Sequence, residues 1–272
     1  MTDLTTQDPT DDIPLSLLIA TSQDAILSAK QQELLEWKQR NVYSEVKFDD
    51  QDLITLRWVC KPKLIDDKPS VKARRCARGF QEDLDIRSDS PSCSREGIRI
   101  ALTIIASMKW QLNGLDVRTA FLQGRPIDRD VYVLPPKEAN TNHVWKLNKT
   151  IYGLNDASRS WYLKLRDELV SLKATPILLD QGIFAWYDGS DLIGLIVCFV
   201  DDLLWGGAKK FTNTINSLRE RFDIGSENTS HLAYIGINLI QRTDHSILIN
   251  QNACPITAMG GRIYNARRLT NK

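Results

Sequence analysis

Two adjacent aspartates, Asp201 and Asp202, follow an almost wholly apolar run from Leu192 to Val200, and Leu203, Leu204 and Trp205 resume it at once. Burying one unpaired carboxylate is costly, and two adjacent ones also repel each other. A bound divalent cation removes both objections. Magnesium suits the pair: it is a hard ion that takes one or two carboxylates and completes its shell with water and phosphate oxygens. A strand–Asp–Asp–strand hairpin would hold both acids at a rigid tip, its arms anchored in the core. The plainer reading of any Asp-Asp pair is a polar turn with solvated acids, but the apolar arms weigh against it here. A third acid, Asp116 in "GLDVRTAF", stands in another strand-like stretch, with Phe121 and Leu122 just beyond it. One isolated acid and a distant pair suit two-metal chemistry at phosphorus, in which ions about 4 Å apart are held by carboxylates from neighbouring strands.

A basic stretch could supply the anion-binding half of such a site. Residues 57–79 carry eight Lys or Arg (57, 61, 63, 68, 72, 74, 75, 78) against Asp66 and Asp67, a local net charge of +6. A charge run by itself is more often a solvated face. Here it lies on two strand-like segments, "RWVCKPK" and "VKARRCARGF", separated by the turn signal "LIDDKPS", which together predict a hairpin. Lysine meets a phosphate as a point charge, while arginine can grip its oxygens bidentately.

The elements that must position these groups follow from periodicity. Helices are expected over 24–40, over 95–110 with a nearly continuous apolar face, over 157–174 with Trp161, Leu165, Leu169 and Leu172 on one stripe, and over 209–222. "IFAWY" and "LIGLIVCFV" flank "DGSD" and predict a hairpin, and "AYIGINLIQ" with "SILINQ" a last one. "QLNGLDVRTAFLQG" is strand-like and ends in a Gly turn, and "VYVLPP" and "VWKLNKTIYGL" read as short strands. The order is mixed, so the fold class is α+β, with helices packed on a largely antiparallel sheet.

The chain has 272 residues, 42% hydrophobic and 25% charged, with a formal net charge of +1. That size allows one large domain or two small ones, and the balance excludes a strongly basic nucleic-acid tail but not a local patch. The opening "MTDLTTQDPTDDIP" has four Asp and no Lys or Arg, the reverse of a secretory leader. "LIGLIVCFV" is too short to span a bilayer as a helix, so no membrane partner is expected. The five cysteines (60, 76, 93, 198, 254) lack C-x-x-C spacing. Their odd number and spacing point away from zinc and from a disulfide framework, toward reduced thiols in an intracellular, cytoplasmic setting. Residues 1–20 are expected to be a disordered acidic tail and 254–272 a frayed or truncated end, leaving 21–253 as the folded unit.

The motifs occur in a definite order: "ARGFQEDLDI", "IRIALTIIASMKWQLNGLDVRTAFLQG", "VYVLPP", "VWKLNKTIYGLNDASRSWYLKL", "LIGLIVCFVDDLLWGG", "AYIGINL". This series resembles the reverse transcriptase domain of copia-type long-terminal-repeat retrotransposons, and most of the chain from Ala25 to Gln251 can be placed on that pattern. The resemblance implies a right-hand polymerase fold: fingers, a palm of antiparallel sheet backed by helices, and the beginning of a thumb. It implies RNA- and DNA-templated DNA synthesis with two magnesium ions, with template-primer and dNTP as partners. It also implies a place within a retroelement polyprotein, in the cytoplasm or in virus-like particles.

Residue by residue, Asp116 falls on the first palm acid and Asp201 and Asp202 on the Y/F-V-D-D box, so these three would hold the ions and carry catalysis. Phe121 matches the aromatic beneath the sugar of the incoming nucleotide, where a ring clashes with a 2′-hydroxyl. Lys63 and Arg74 are the best matches to the triphosphate-binding bases, with Lys61 and Arg75 as neighbours one register off. The remaining bases would meet template phosphates and give a salt-sensitive grip. Tyr234, Ile235 and Gly236 match the hairpin that holds the primer end. In "IYGLNDASRSWY" the chain departs from the commoner Lys-Gln-Ala-Pro-Arg, having Asn155, Asp156, Ala157, Ser158 and Arg159 instead. An acid at 156 would repel a triphosphate unless it caps the helix that follows. The alternative expectation is a degenerate copy that folds and binds nucleic acid without polymerising. An unrelated magnesium phosphohydrolase would leave Phe121, the basic hairpin and the order of the motifs unexplained.

Overall fold

The computed structural model describes residues 23–65, 68–82 and 85–250, and within it the side chains of all but residues 63–69. The expected tails, 1–20 and 254–272, lie outside the described residues. The first half of the chain holds α1 (Gln23–Gln39), β1 (Tyr43–Val46), β2 (Leu53–Ile54), β3 (Leu56–Ile65), β4 (Lys68–Ala77), α2 (Arg95–Ser107), β5 (Asn113–Val117), β6 (Tyr132–Val133) and β7 (Val144–Leu147). The second half holds α3 (Ala157–Ser171), β8 (Thr175–Pro176), β9 (Ile183–Asp188), β10 (Asp191–Phe199), β11 (Asp202–Gly207), α4 (Thr212–Arg221), β12 (Ile224–Thr229), β13 (His231–Tyr234), β14 (Ile237–Gln241) and β15 (Ile247–Asn250).

A six-stranded sheet, ordered β12-β5-β11-β10-β9-β8 and antiparallel throughout, forms the centre. Its middle strands are apolar without alternation because both faces are covered. Ile196, Cys198 and Leu203 pack under α3 and α4 against Trp161, Leu165, Leu169, Ile215 and Leu218. Leu195, Val197 and Leu204 face the other way, toward Ile98, Leu102 and Ile105 of α2 and toward Leu232 and Leu239 of the small sheet β13-β14-β15. Each large apolar side chain buried in these layers contributes roughly 1.5–3 kcal/mol. Close approach shapes the end of β10–β11 away from the acids. Gly194 and Gly207 are register partners, and a β-carbon on either would come within 2.4 Å of the Phe211 ring. The adjacent Gly206 meets Ile105 in the same way, at 2.7 Å.

The hairpin β3–β4 is as expected, and α1 lies against it. The stripe that α1 buries is Ile26, Lys30, Glu33 and Trp37, while Leu27 and Leu35 of the same helix are exposed. Lys30 is paired at 2.9 Å with Glu138 and sits 5.2 Å over the Trp58 ring.

Some local readings change. "AYIGINLIQ" is not one strand: Ile235 (φ 51) and Gly236 (φ 75) turn the chain between β13 and β14, and the hairpin that "AYIGINLIQ" and "SILINQ" make is β14–β15. Two consecutive left-handed residues give the turn twist that suits a tight hairpin. The polar segment "IGSENT", not foreseen as a strand, is β12 at the sheet edge. The helix expected over 209–222 begins with a 3-10 turn, Lys209–Phe211, before α4.

Candidate active site

The acids sit where β10 turns into β11. Phe199 and Asp202 are the closing register pair, with Val200 and Asp201 between them. Val200 has φ 58, a left-handed conformation that is a true outlier for a β-branched residue and marks stored strain. Packing holds it there: the Trp161 Nε1–H of α3 donates to the Val200 carbonyl at 2.7 Å, and the Cys93 amide donates to the Cys198 carbonyl at 3.0 Å. On the next strand Asp116 stands directly opposite Asp202, and the Val117 amide donates to the Asp201 carbonyl at 3.1 Å. Directly opposed residues of an antiparallel pair have β-carbons about 4.5–5.5 Å apart. The three acids feel one another. Burial, then Asp201, then Asp116 push the Asp202 carboxyl up to about 6. Burial and Asp201 raise Asp116, against the pull of Lys72, Arg74 and Arg118. Among the described residues no three His, Cys, Asp or Glu side chains come together as a preformed group that could hold a metal ion. The acids are gathered on two adjacent strands but do not by themselves complete a coordination shell.

A cavity of about 620 Å³ opens beside them. Asp116, Asp201, Arg118 and Thr119 line one wall, Lys72 and Arg74 of β4 another, and Gln32, Glu33 and Glu36 of α1 a third; Asp202 does not line it. Arg74 Nε is buried without a hydrogen-bond partner, and its guanidinium lies 4.9 Å over the Tyr152 ring. Thr119 is also left-handed (φ 46), with a buried hydroxyl that has no partner.

The hairpin register separates the basic residues. Lys61 pairs with Lys72 and Val59 with Arg74, whereas Trp58 pairs with Arg75. Arg75 is thereby on the opposite face, buried 5.0 Å over Trp58, and does not line the cavity. Lys63 stands opposite Ser70, and its side chain lies outside the described part. Phe121 sits on a 3-10 turn, Ala120–Gln123; its ring packs 5.1 Å from Tyr152 and does not line the cavity. Tyr234 is buried, its hydroxyl 3.4 Å from the Val197 carbonyl of β10, so the turn at Ile235 and Gly236 is tied to the strand that leads into Asp201 and Asp202.

Asp156 holds the N-cap position of α3 but makes no capping bond. Its carboxylate instead accepts from Arg129 at 2.5 and 3.0 Å, while Arg129 also reaches Glu82 at 2.6 Å. The capping role suggested by the sequence is thus replaced by an ion pair from a distant loop. The residue that sequence reasoning missed is Glu33. Its Oε1 accepts from Trp37 Nε1 at 3.1 Å and from the Arg75 amide at 3.3 Å, and burial pushes its carboxyl up to about 7. The only signal was its place in the 4-3-4 spacing of Ile26, Lys30, Glu33 and Trp37.

Residues 40–258 match the family described as reverse transcriptase (RNA-dependent DNA polymerase), and the chain belongs to that family. It is of the copia type. It is similar to the retrovirus-related Pol polyprotein from transposon RE1 of Arabidopsis thaliana, 32% identical over 196 residues, covering 68% of this chain and 13% of that protein. It is also similar to the Pol polyprotein from transposon TNT 1-94 of Nicotiana tabacum, 27% identical over 242 residues, covering 84% and 18%. The chain therefore spans a small part of the relatives it matches. A foamy viral protease–reverse transcriptase in complex with double-stranded DNA aligns at a TM-score of 0.47 and 11% identity, over 79% of this chain and 34% of that one.

Proposed function

We propose that this chain transfers nucleotides from dNTP to a primer 3′-hydroxyl on an RNA or DNA template, as the polymerase part of a retroelement polyprotein. One observation carries the reading: Asp116 and Asp201 wall a cavity whose facing wall is the basic strand β4, and Asp202 stands opposite Asp116. In this reading β3–β4 is the fingers hairpin and the six-stranded sheet the palm.

The acids suit magnesium by their chemistry: three mutually repelling carboxylates at one sheet position favour a divalent counter-ion, and an open set leaves room for water and phosphate oxygens. Asp116, Asp201 and Asp202 would hold two ions, which when bound would activate the attacking hydroxyl and neutralise the leaving pyrophosphate. Arg74, with an unpartnered buried Nε and a ring beneath it, would grip the triphosphate, and Lys72 and Lys63 would add point charges. Phe121 would be the sugar gate, set beside the Arg74 site by its contact with Tyr152, which lies under that guanidinium. Tyr234, Ile235 and Gly236 would hold the primer end through the turn fixed to β10.

Primer extension on poly(rA)/oligo(dT) with magnesium tests this, beside an Asp201→Asn, Asp202→Asn double variant. Extension by the native chain and none by the variant is expected. Template binding without extension by the native chain would favour a nucleic-acid-binding remnant, and extension that survives the double variant would reject the assigned site.

A further inference from the structure

Edge strand β12 flanks β5 on the side away from β11, and its register slips beside the acid. Ile224 pairs with Val117 and Ser226 with Asp116, leaving Gly225 as an extra, bulged residue between them. Bulges re-aim side chains next to active sites. A β-carbon on Gly225 would stand 2.4 Å from Asp116 Oδ2 and 3.5 Å from Asp116 Cγ. Glycine is not there for its backbone: Gly225 is absent from the positive-φ glycines, Gly153, Gly189 and Gly236. Nor is it crowded by the core, being exposed at the sheet edge. What the missing side chain leaves free is the space taken by the Asp116 carboxylate.

The strand around Gly225 is pinned and cannot easily retreat. The Arg118 amide donates to the Asp223 carbonyl at 2.9 Å, and the Asp223 amide donates to Gln123 Oε1 at 3.0 Å. Gln123 Nε2 in turn donates to the Arg118 and Asp223 carbonyls at 2.6 and 3.3 Å. The soft partner in any clash is the carboxylate, which turns about its own torsions at little cost to the fold. We propose that Gly225 is a positioning residue: its lack of a side chain sets the direction in which Asp116 presents its carboxylate to a divalent cation. The inference rests on the polymerase reading for its activity arm only.

The test compares Gly225→Ala and Gly225→Ser with an Asn228→Ala control farther along β12, an exposed residue that pairs with Gly114 and does not line the cavity. Manganese serves as a probe, its binding to the protein alone followed by the loss of the free-ion electron paramagnetic resonance signal. Both Gly225 variants are expected to melt close to the native chain and to bind template-primer as it does. They are expected to bind manganese about tenfold more weakly, the lower end of what misorienting a metal ligand costs. Extension should fall on the order of 100-fold in kcat with KM for dNTP little changed, as for a displacement of about 1 Å at the reacting centre. The Asn228→Ala control should match the native chain in every measurement. Native manganese affinity in both Gly225 variants would overturn the inference. So would failure of both to fold, because the glycine would then be structural. If the native chain does not extend a primer, the polymerase reading falls, while the manganese arm, run without primer or nucleotide, still decides the role of Gly225.

Discussion

Glu33 offers a quantitative test of how α1 is joined to the basic hairpin. Its side chain is 6% exposed, and burial holds its carboxyl near 7 instead of the ordinary 4.5. At about 1.4 kcal/mol per tenfold change in acidity, that gap corresponds to about 3 kcal/mol. The sign follows from the raised value. The folded chain binds this proton more tightly than the unfolded chain, so stability is fullest below pH 4.5, falls as pH rises toward 7 and stays reduced above it. Glu33→Gln keeps an oxygen for the Trp37 and Arg75 donors and removes the charge. The variant should match the native chain at pH 4.5 and exceed it by about 3 kcal/mol at pH 8. For a domain of this size that is a rise of about 6–12 °C in melting temperature. Thermal melts at the two pH values, followed by circular dichroism, read this directly. Asp202 titrates in an overlapping range in both proteins, so the difference between them isolates Glu33. An equal loss of stability at both pH values, or a native chain whose stability does not change between them, would refute the reasoning.

Two further outcomes are expected. Arg129→Met leaves the Glu82 carboxylate, 1% exposed, and Asp156 without their shared cation, and should cost about 3 kcal/mol in urea denaturation; adding Glu82→Gln and Asp156→Asn should recover most of it. Phe121→Ala should raise ribonucleotide incorporation in primer extension with mixed nucleotides, and unchanged sugar selectivity would remove the gate role from that ring.

Much of the site was legible because it is written in residue types that are costly where they stand. Acids inside apolar runs announce Asp116, Asp201 and Asp202, and a run of bases split by a turn signal announces β3–β4. Register was less legible. Arg74 and Arg75 are adjacent and chemically alike, and only strand pairing with Val59 and Trp58 sends one to the cavity and the other against α1. Glu33 was hidden because a buried carboxyl among Gln, Lys and Glu looks like a solvated helix face. β12 was hidden for the opposite reason: an edge strand with a solvent-facing side needs few apolar residues, and "IGSENT" has only Ile224. Asp156 was misread because its partner, Arg129, comes from a loop 27 residues away, beyond any local capping rule.

The glycines around Phe211 have a bearing on the acids at the far end of the same strands. β10 and β11 are apolar toward both faces, so a one-residue slip would trade Leu203 for Leu204 with no penalty in polarity. It would still separate Asp202 from Asp116. Shape supplies the missing discrimination: Gly194, Gly206 and Gly207 are notches cut to receive Phe211 and Ile105, and a β11 slipped by one residue could drive Trp205 into the notch of Gly206. At about 3.3 Å per residue the notches lie some four residues, about 13 Å, from Asp202. They work as a key at one end of a lock whose bolt is the pair of opposed carboxylates. Enlarging Gly206 is thus a lesion of alignment, felt at acids it never touches.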